Sequence, residues 1–209
     1  MLLLAFDTAT PAVTVAVHDG QAVVAEHTVV DAMRHGELLA PGIACVLERA
    51  GADRTQLTDV AVGVGPGPFT GLRVGLVTAR TLGEVLDIPV RGVCTLDVLA
   101  AEAEVDGAFA VATDARRKEV YWAAYADRHS RTSGPHVARP ADVGAPGPVA
   151  GRGAVLYPDA FPKPVAPEYP SAAVLAELVV RGRAEVLPPD PLYLRRPDAV
   201  AAAARKKVL

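Results

Sequence analysis

The sequence has few of the residues that mark several common classes of protein. Its two cysteines, Cys45 and Cys94, lie far apart and form no CxxC pair, so neither a disulfide framework nor a cysteine zinc site is indicated. No apolar run reaches the roughly 18 residues of a membrane span, and the apolar start at residues 1–6 lacks the basic region of a signal peptide. We therefore expect a soluble, cytoplasmic protein with two free core thiols.

An excess of positive charge is also missing. The chain has 21 Lys and Arg residues against 24 Asp and Glu, which gives a formal net charge of −3. Proteins that grip tRNA unaided usually present a basic face, because phosphate neutralisation dominates the affinity. If RNA is a substrate, we expect another subunit to supply most of the RNA-binding affinity.

Alternating strand and helix patterns predict an α/β fold. The hydrophobic fraction of 51% in 209 residues is enough for one large domain or two lobes. In the first half, short apolar runs predict strands and amphipathic stretches predict helices. The predicted strands are 2–6, 13–17, 21–30, 60–64 and 88–93, and the predicted helices are 36–50, 72–86 and 95–103.

The second half opens like the first. An apolar run ends at Asp114, as the first predicted strand ends at Asp7. Three apolar residues follow each aspartate at the same offsets, so one shift of 107 residues superposes Val13, Val15 and Val17 on Val120, Trp122 and Ala124. This repeat predicts two related lobes, 1–104 and 105–209, with duplicated strand–Asp–strand units.

Proline dominates the middle of the second half. Residues 135–170 carry nine of the 18 prolines, which predicts an irregular excursion with little helix. Ser171 is expected to cap a final helix over 172–183. Residues 201–209 are expected to form a frayed basic tail.

Two features could carry nucleotide chemistry, and each has a structural alternative. The glycine-rich turn at residues 63–71 could cradle phosphate with its backbone N–H groups. It matches neither GxGxxG nor a Walker loop, and Pro66 and Pro68 remove two donors, so a rigid structural turn is the alternative. Asp7 and Asp114 could hold a metal–phosphate complex or could cap turns.

Small residues recur every four positions along the helix that follows this turn. Glycine inside a helix costs about 0.5–1 kcal/mol relative to alanine, so close approach of another element should compensate. That element could belong to the same lobe or to another subunit. This small-residue ridge consists of Gly71, Gly75, Ala79 and Gly83.

A short basic run follows Asp114. It reads either as a solvated turn or as a contact for phosphate or the tRNA backbone. The candidate RNA-contact residues are Arg116, Arg117 and Lys118.

Five segments together resemble the TsaB (YeaZ) family, and the GPGPFTGLR stretch is the most specific of them. The resemblance implies a two-lobed actin-like ASKHA fold. It also implies a role in forming N6-threonylcarbamoyladenosine next to the tRNA anticodon. The segments are Leu3–Thr10, Gly63–Arg73, Ile88–Leu96, Asp114–Tyr121 and Pro191–Arg195.

The resemblance further implies a catalytic sister subunit of the same fold, TsaD, which carries a His-x-Glu-Gly-His metal motif after a matching strand. Laid onto this chain, the two histidines fall at Thr95 and Leu99, and the glutamate falls at Asp97. Neither threonine nor leucine is an imidazole-type ligand. We therefore expect a non-catalytic subunit with no catalytic residue, metal or cofactor of its own, while ATP and metal reside on the partners.

In the family, the first two helices pack against matching helices of TsaD or of a second copy of the subunit. The resemblance thus favours a subunit interface at Leu39, Ile43, Gly71, Leu72, Gly75, Ala79 and Gly83. We expect the pair to support docking of TsaE, an ATPase, and to reach tRNA only indirectly. A vestigial nucleotide site would consist of Asp7, Thr8, Gly65, Gly67 and Asp114.

Two other functions stay open. One is an ATP-dependent small-molecule kinase of the ASKHA superfamily, which requires tight ATP binding by the isolated chain. The other is a homodimeric scaffold or regulator that acts without TsaD.

Overall fold

A computed structural model describes residues 1–195, which form two five-stranded sheets with helices around them. The first half holds β1 (Leu3–Asp7), β2 (Ala12–His18), β3 (Val23–Val30), α1 (His35–Arg49), β4 (Asp59–Gly63), α2 (Phe69–Leu86), β5 (Val90–Val93) and α3 (Thr95–Glu102). The second half holds β6 (Phe109–Asp114), β7 (Val120–Asp127), β8 (Ser130–Ala138), β9 (Val149–Ala150), α4 (Arg152–Leu156), β10 (Pro164–Val165) and α5 (Ala172–Val180). The predicted tail at 201–209 lies outside the described residues.

The two sheets have the same topology. The first has the order β3-β2-β1-β4-β5, and the second has the order β8-β7-β6-β9-β10. In each, an antiparallel meander of three strands is extended by two parallel strands. The predicted α/β class and the duplicated strand–Asp–strand units are therefore confirmed.

The predicted superposition of the two hairpins is wrong by one residue. Asp7 pairs with Thr14, whereas Asp114 pairs with Val120, so the turn of the second hairpin is one residue shorter. Because side chains alternate between the faces of a sheet, a slip of one residue exchanges the faces. Thr14, not Val13, is therefore the counterpart of Val120.

The proline-rich excursion contributes structure that its composition hides. It supplies β9 and β10, the counterparts of β4 and β5. The expectation of little helix holds, since α4 has only five residues and a 3₁₀ turn at Pro140–Asp142 stands where the first sheet has α1. The final helix begins as predicted, with the Ser171 hydroxyl accepting from the N–H of Val174 at 3.4 Å, and ends earlier, at Val180.

Each lobe contributes one helix that packs on the sheet of the other lobe. α3 packs on the second sheet, where Leu96 and Leu99 join Phe109 in one core, while α5 covers the first sheet, where Leu175 joins Leu3. With α1 and α2 on its other face, the first sheet is covered on both sides, and β1, β2 and β4 are buried throughout. The lobe boundary at 104/105 stays a prediction, with the addition that α5 lies beyond it and packs on the first sheet.

The two cysteines are free thiols, and burial raises the pKa of Cys94 to about 12. No helix among residues 1–195 is long and apolar enough to cross a membrane.

Candidate functional site

Asp7 is a buried link between β1 and α3. Its carboxylate accepts hydrogen bonds from the N–H of Ala9 and the hydroxyl of Thr95, both at 2.7 Å. Desolvation by burial raises its pKa, although both hydrogen bonds act in the opposite direction. The side chain has no exposed surface, so both of its oxygens serve the fold.

The glycine-rich turn packs against this link. Gly65 has a φ of +91°, donates its N–H to the Thr95 hydroxyl at 3.2 Å and accepts from the N–H of Thr95 at 2.8 Å. A Cβ on Gly67 would lie 2.2 Å from the carbonyl oxygen of Ala9. One N–H of the supposed cradle is thus already bonded, and these contacts favour the structural turn over the phosphate cradle.

A cleft of about 290 Å³ lies between the lobes. It brings together Thr8 and Asp114, as the nucleotide-site prediction requires, but Asp7, Gly65 and Gly67 are not among its lining residues. The Thr8 hydroxyl donates to the carbonyl of Gly71 at 2.8 Å and accepts from the N–H of Gly75 at 3.0 Å. Its hydrogen-bonding capacity therefore serves to join β1 to α2.

The three positions of the sister's metal motif are engaged in other contacts. Thr95 is buried and bonded to Asp7, and Leu99 is buried in the second core. Asp97 accepts from the hydroxyl of Tyr125 at 2.7 Å and pairs with Arg131 at 3.2 Å. Desolvation raises the pKa of Asp97. Among residues 1–195, no group of three or more His, Cys, Asp or Glu side chains is arranged to hold a metal ion.

The small-residue ridge faces inward. All four of its residues are buried within the chain itself, and a Cβ on Gly75 would lie 2.5 Å from the Thr8 hydroxyl. Close approach of Gly75 to Thr8, directly after β1, and of Gly83 to Val90 on β5 thus compensates for glycine in this helix. The expectation that the ridge meets a partner is wrong as a matter of geometry, because Gly71, Leu72, Gly75, Ala79, Gly83 and also Leu39 are buried against their own lobe.

The outer sides of α1 and α2 form a different surface. These helices pack side by side on the first sheet. Val77 and Val85 on α2 are 59% and 74% exposed, and Ala40 and Ala44 on α1 are exposed. Ile43 is half-buried and packs against the first core. We call Ala40, Ala44, Val77 and Val85 the outer helix face.

The predicted RNA-contact residues lie on the exposed turn between β6 and β7. Arg116, Arg117 and Lys118 have φ values of 60°, 55° and 59°. The N–H of Arg116 donates to the carboxylate of Asp114 at 2.9 Å, and the N–H of Ala115 donates to the backbone carbonyl of Glu119 at 3.0 Å. The structure therefore presents three successive cations on a turn of fixed, left-handed backbone.

Sequence reasoning missed two constellations. One is the chain of contacts from Tyr125 through Asp97 and Arg131 to Glu185. The other is a stack of Phe69 on Tyr193, with ring centroids 5.4 Å apart. Their members lie far apart in the chain, and only the presence of both aromatics in family-like motifs could have drawn attention to the stack.

The two sheets share one topology, and α3 and α5 each pack on the sheet of the other lobe. This arrangement defines a two-lobed, actin-like protein of the ASKHA class. Residues 27–151 match a family model described as TsaD, a tRNA N6-adenosine threonylcarbamoyltransferase. The solved structure of YeaZ from Pseudomonas aeruginosa is 30% identical, with a TM-score of 0.76 over 92% of this chain and 99% of that one. The chain belongs to the TsaB (YeaZ) family.

Two curated relatives have similar sequences. A Mycobacterium tuberculosis protein described as uncharacterized is 47% identical over 94% of this chain and 93% of its own length. TsaB of Escherichia coli, described as a tRNA threonylcarbamoyladenosine biosynthesis protein, is 40% identical over 60% of this chain and 55% of its own length. The likeness to that relative thus spans about half of it.

Proposed function

We propose that the chain is a non-catalytic subunit required for threonylcarbamoylation of the tRNA adenosine next to the anticodon, and that it acts by binding and activating a TsaD subunit. The Escherichia coli and Bacillus subtilis relatives named TsaB support the pathway. The match to the transferase model over 27–151 supports a shared lobe architecture with TsaD.

The contacts at positions 95 to 99 carry this proposal. They lie inside the region that matches the transferase model. A hydroxyl bonded to a buried carboxylate and a leucine in a core cannot act as imidazole ligands. Asp97 has the other oxygen atoms at these positions that could bind a metal. Its carboxylate accepts hydrogen bonds from Tyr125 and Arg131. Activity by contact with a partner fits these residues better than metal-assisted chemistry on this chain.

The outer helix face suits the partner. Small side chains at Ala40 and Ala44 let another helix approach α1 closely, and the exposed valines of α2 supply apolar area. We assign TsaD to this surface, with a second copy of the chain as the competing occupant in its absence. The resulting pair supports TsaE docking, and ATP and metal bind to the partners.

Two matched valine variants test this surface. Val77→Asp places a charge on the outer helix face and should weaken TsaD binding by about 3 kcal/mol, more than a hundredfold, because the charge would be buried without a partner. Val155→Asp makes the same change on α4, where the valine is 49% exposed, and should leave the affinity within about twofold. Calorimetric titration of each variant with TsaD measures both.

Circular dichroism melts verify that both variants fold, which the exposure of both valines predicts. Equal loss of TsaD affinity in the two variants, or no loss in either, would contradict the assignment of TsaD to the outer helix face. A wild-type chain that fails to bind TsaD at all would contradict the proposed function itself.

A further inference from the structure

An open aromatic stack lies at the start of α2. Phe69 and Tyr193 are stacked at an interplanar angle of 23°, and the guanidinium of Arg73 lies 4.7 Å from the centre of the Phe69 ring. Phe69 and Tyr193 are each 40% exposed as whole residues, which is high for large aromatic residues. Phe69 thus contacts both Arg73 and Tyr193, and Tyr193 keeps exposed surface at the junction of the lobes.

The basic turn stands beside this stack. Phe69, Tyr193, Arg116 and Arg195 line one cleft of about 170 Å³ at the junction of the lobes. Arg117 also lines this cleft, Lys118 follows it in the same exposed turn, and Arg73 lies over the Phe69 ring. The carboxylates that flank the turn in the sequence are Asp114 and Glu119. Each carboxylate already has an arginine partner, Arg116 for Asp114 and Arg195 for Glu119. This is a local excess of positive charge on a chain whose formal net charge is −3.

The backbone of the turn is strained where it presents the cations. Left-handed backbone costs roughly 1–2 kcal/mol for each residue other than glycine, and three such residues follow one another here. Arg195 donates to the carbonyl of Ala115 at 2.9 Å and so helps to hold the turn. Strain of this kind is concentrated at ligand-binding sites, where the surrounding structure maintains it.

We propose that the stack and the basic turn bind a single-stranded segment of RNA. An unpaired base would stack on Tyr193, and the flanking phosphates would contact Arg116 and Lys118. Aromatic platforms beside cations are how proteins hold single strands, because every base offers a flat face and every nucleotide a phosphate. Tyrosine and arginine are also enriched at protein interfaces, so a protein occupant is the alternative that the test distinguishes. The inference rests on the proposed function, which supplies tRNA as the RNA.

The test is a fluorescence anisotropy titration of a labelled, unmodified anticodon stem-loop with the TsaD complex of each variant. Tyr193→Ala should weaken binding at least about fivefold, since one stacked base is lost, and Tyr193→Phe should restore it. Lys118→Gln should lower the slope of log affinity against log salt by about one. Arg128→Gln, the matched removal of an exposed cation on the β7–β8 hairpin, should change neither.

A fully paired RNA duplex should bind more weakly and should not respond to Tyr193→Ala. Wild-type stem-loop affinity in Tyr193→Ala and an unchanged salt slope in Lys118→Gln would overturn the inference. So would a loss of TsaD affinity in Tyr193→Ala, which would assign the stack to a protein partner. If no TsaD complex forms, photo-crosslinking of a thiouridine-labelled loop to the isolated chain decides: a crosslink at Tyr193 supports the site, and crosslinks only elsewhere contradict it.

Discussion

The two lobes share a sheet topology but not a helical layer. In the first lobe, α1 and α2 have 15 and 18 residues, whereas the corresponding segments of the second lobe are a three-residue turn and the five-residue α4. Proline alone does not explain the difference, since α1 contains Pro41. The connection is also shorter, because ten residues (139–148) join β8 to β9 whereas 28 (31–58) join β3 to β4. The sheets therefore kept one topology in both lobes, whereas among residues 1–195 the long helices at the first two helical positions occur on the first lobe.

The two aspartates at equivalent strand ends differ in the same way. Asp7 is fully buried and bonded to α3, whereas Asp114 is partly exposed, bonds to the turn that follows it and lies 3.8 Å from the Arg116 guanidinium. An equivalent position has therefore become a structural link in one lobe and the start of an exposed basic turn in the other.

The largest effect is expected on the inner side of α2. Ala79→Trp should destabilise the fold by more than about 4 kcal/mol, because Ala79 is fully buried and an indole must displace its neighbours. Chemical denaturation checks this against Val77→Asp, which should remain folded. A stable Ala79→Trp protein would contradict the inward orientation of the ridge.

The two aspartates should differ in their contribution to stability. Asp7→Ala should cost about 2–3 kcal/mol, because it leaves the N–H of Ala9 and the hydroxyl of Thr95 without their buried acceptor. Asp114→Ala should cost less than about 1 kcal/mol. Urea denaturation of both variants measures the difference. An equal loss of free energy of unfolding in the two variants would contradict the different roles of the two aspartates.

Asp7 should also give the stability a pH dependence. Burial raises its pKa above the ordinary value of 3.8, so the native state holds the proton more tightly than the unfolded chain. Relative to Asp7→Asn, the wild-type chain should lose stability as the pH rises through the raised pKa and regain it as the pH falls toward 3.8. Urea denaturation at several pH values checks this. A difference that stays flat with pH would contradict the desolvation.

The smallest effect is expected in the cleft between the lobes. Because the Thr8 hydroxyl is bonded to Gly71 and Gly75, titration of the isolated chain with millimolar Mg–ATP should give no saturable heat. Tight binding would instead favour the kinase alternative, and it should then be lost in Asp114→Ala.

Sequence patterns predicted the elements of the first lobe well, since each apolar period there matches a strand or helix that is buried on the expected side. They failed for β9 and β10, because a strand of two residues gives no period to detect, and because Pro148 precedes β9 and Pro164 begins β10. The register of the second hairpin was also predicted wrongly, because it depends on the length of a turn and not on composition.

The candidate site was predicted less well than the fold. Spacing identified the small-residue ridge of α2 but could not say which element it approaches, since a smooth helix side suits a sheet as well as a partner. The Thr95–Asp7 bond and the Phe69–Tyr193 stack join residues distant in the chain, which no local pattern encodes. Of the predicted nucleotide-site residues, Thr8 and Asp114 line the cleft, whereas Asp7, Gly65 and Gly67 do not.

The most direct measurement is a modification assay with purified TsaD and TsaE, ATP, threonylcarbamoyl-adenylate and unmodified tRNA, with N6-threonylcarbamoyladenosine quantified by mass spectrometry of the digested tRNA. We expect product only when this chain and TsaD are both present, and none from this chain without TsaD. Product formed by this chain in the absence of TsaD, or undiminished product when this chain is omitted, would contradict this expectation.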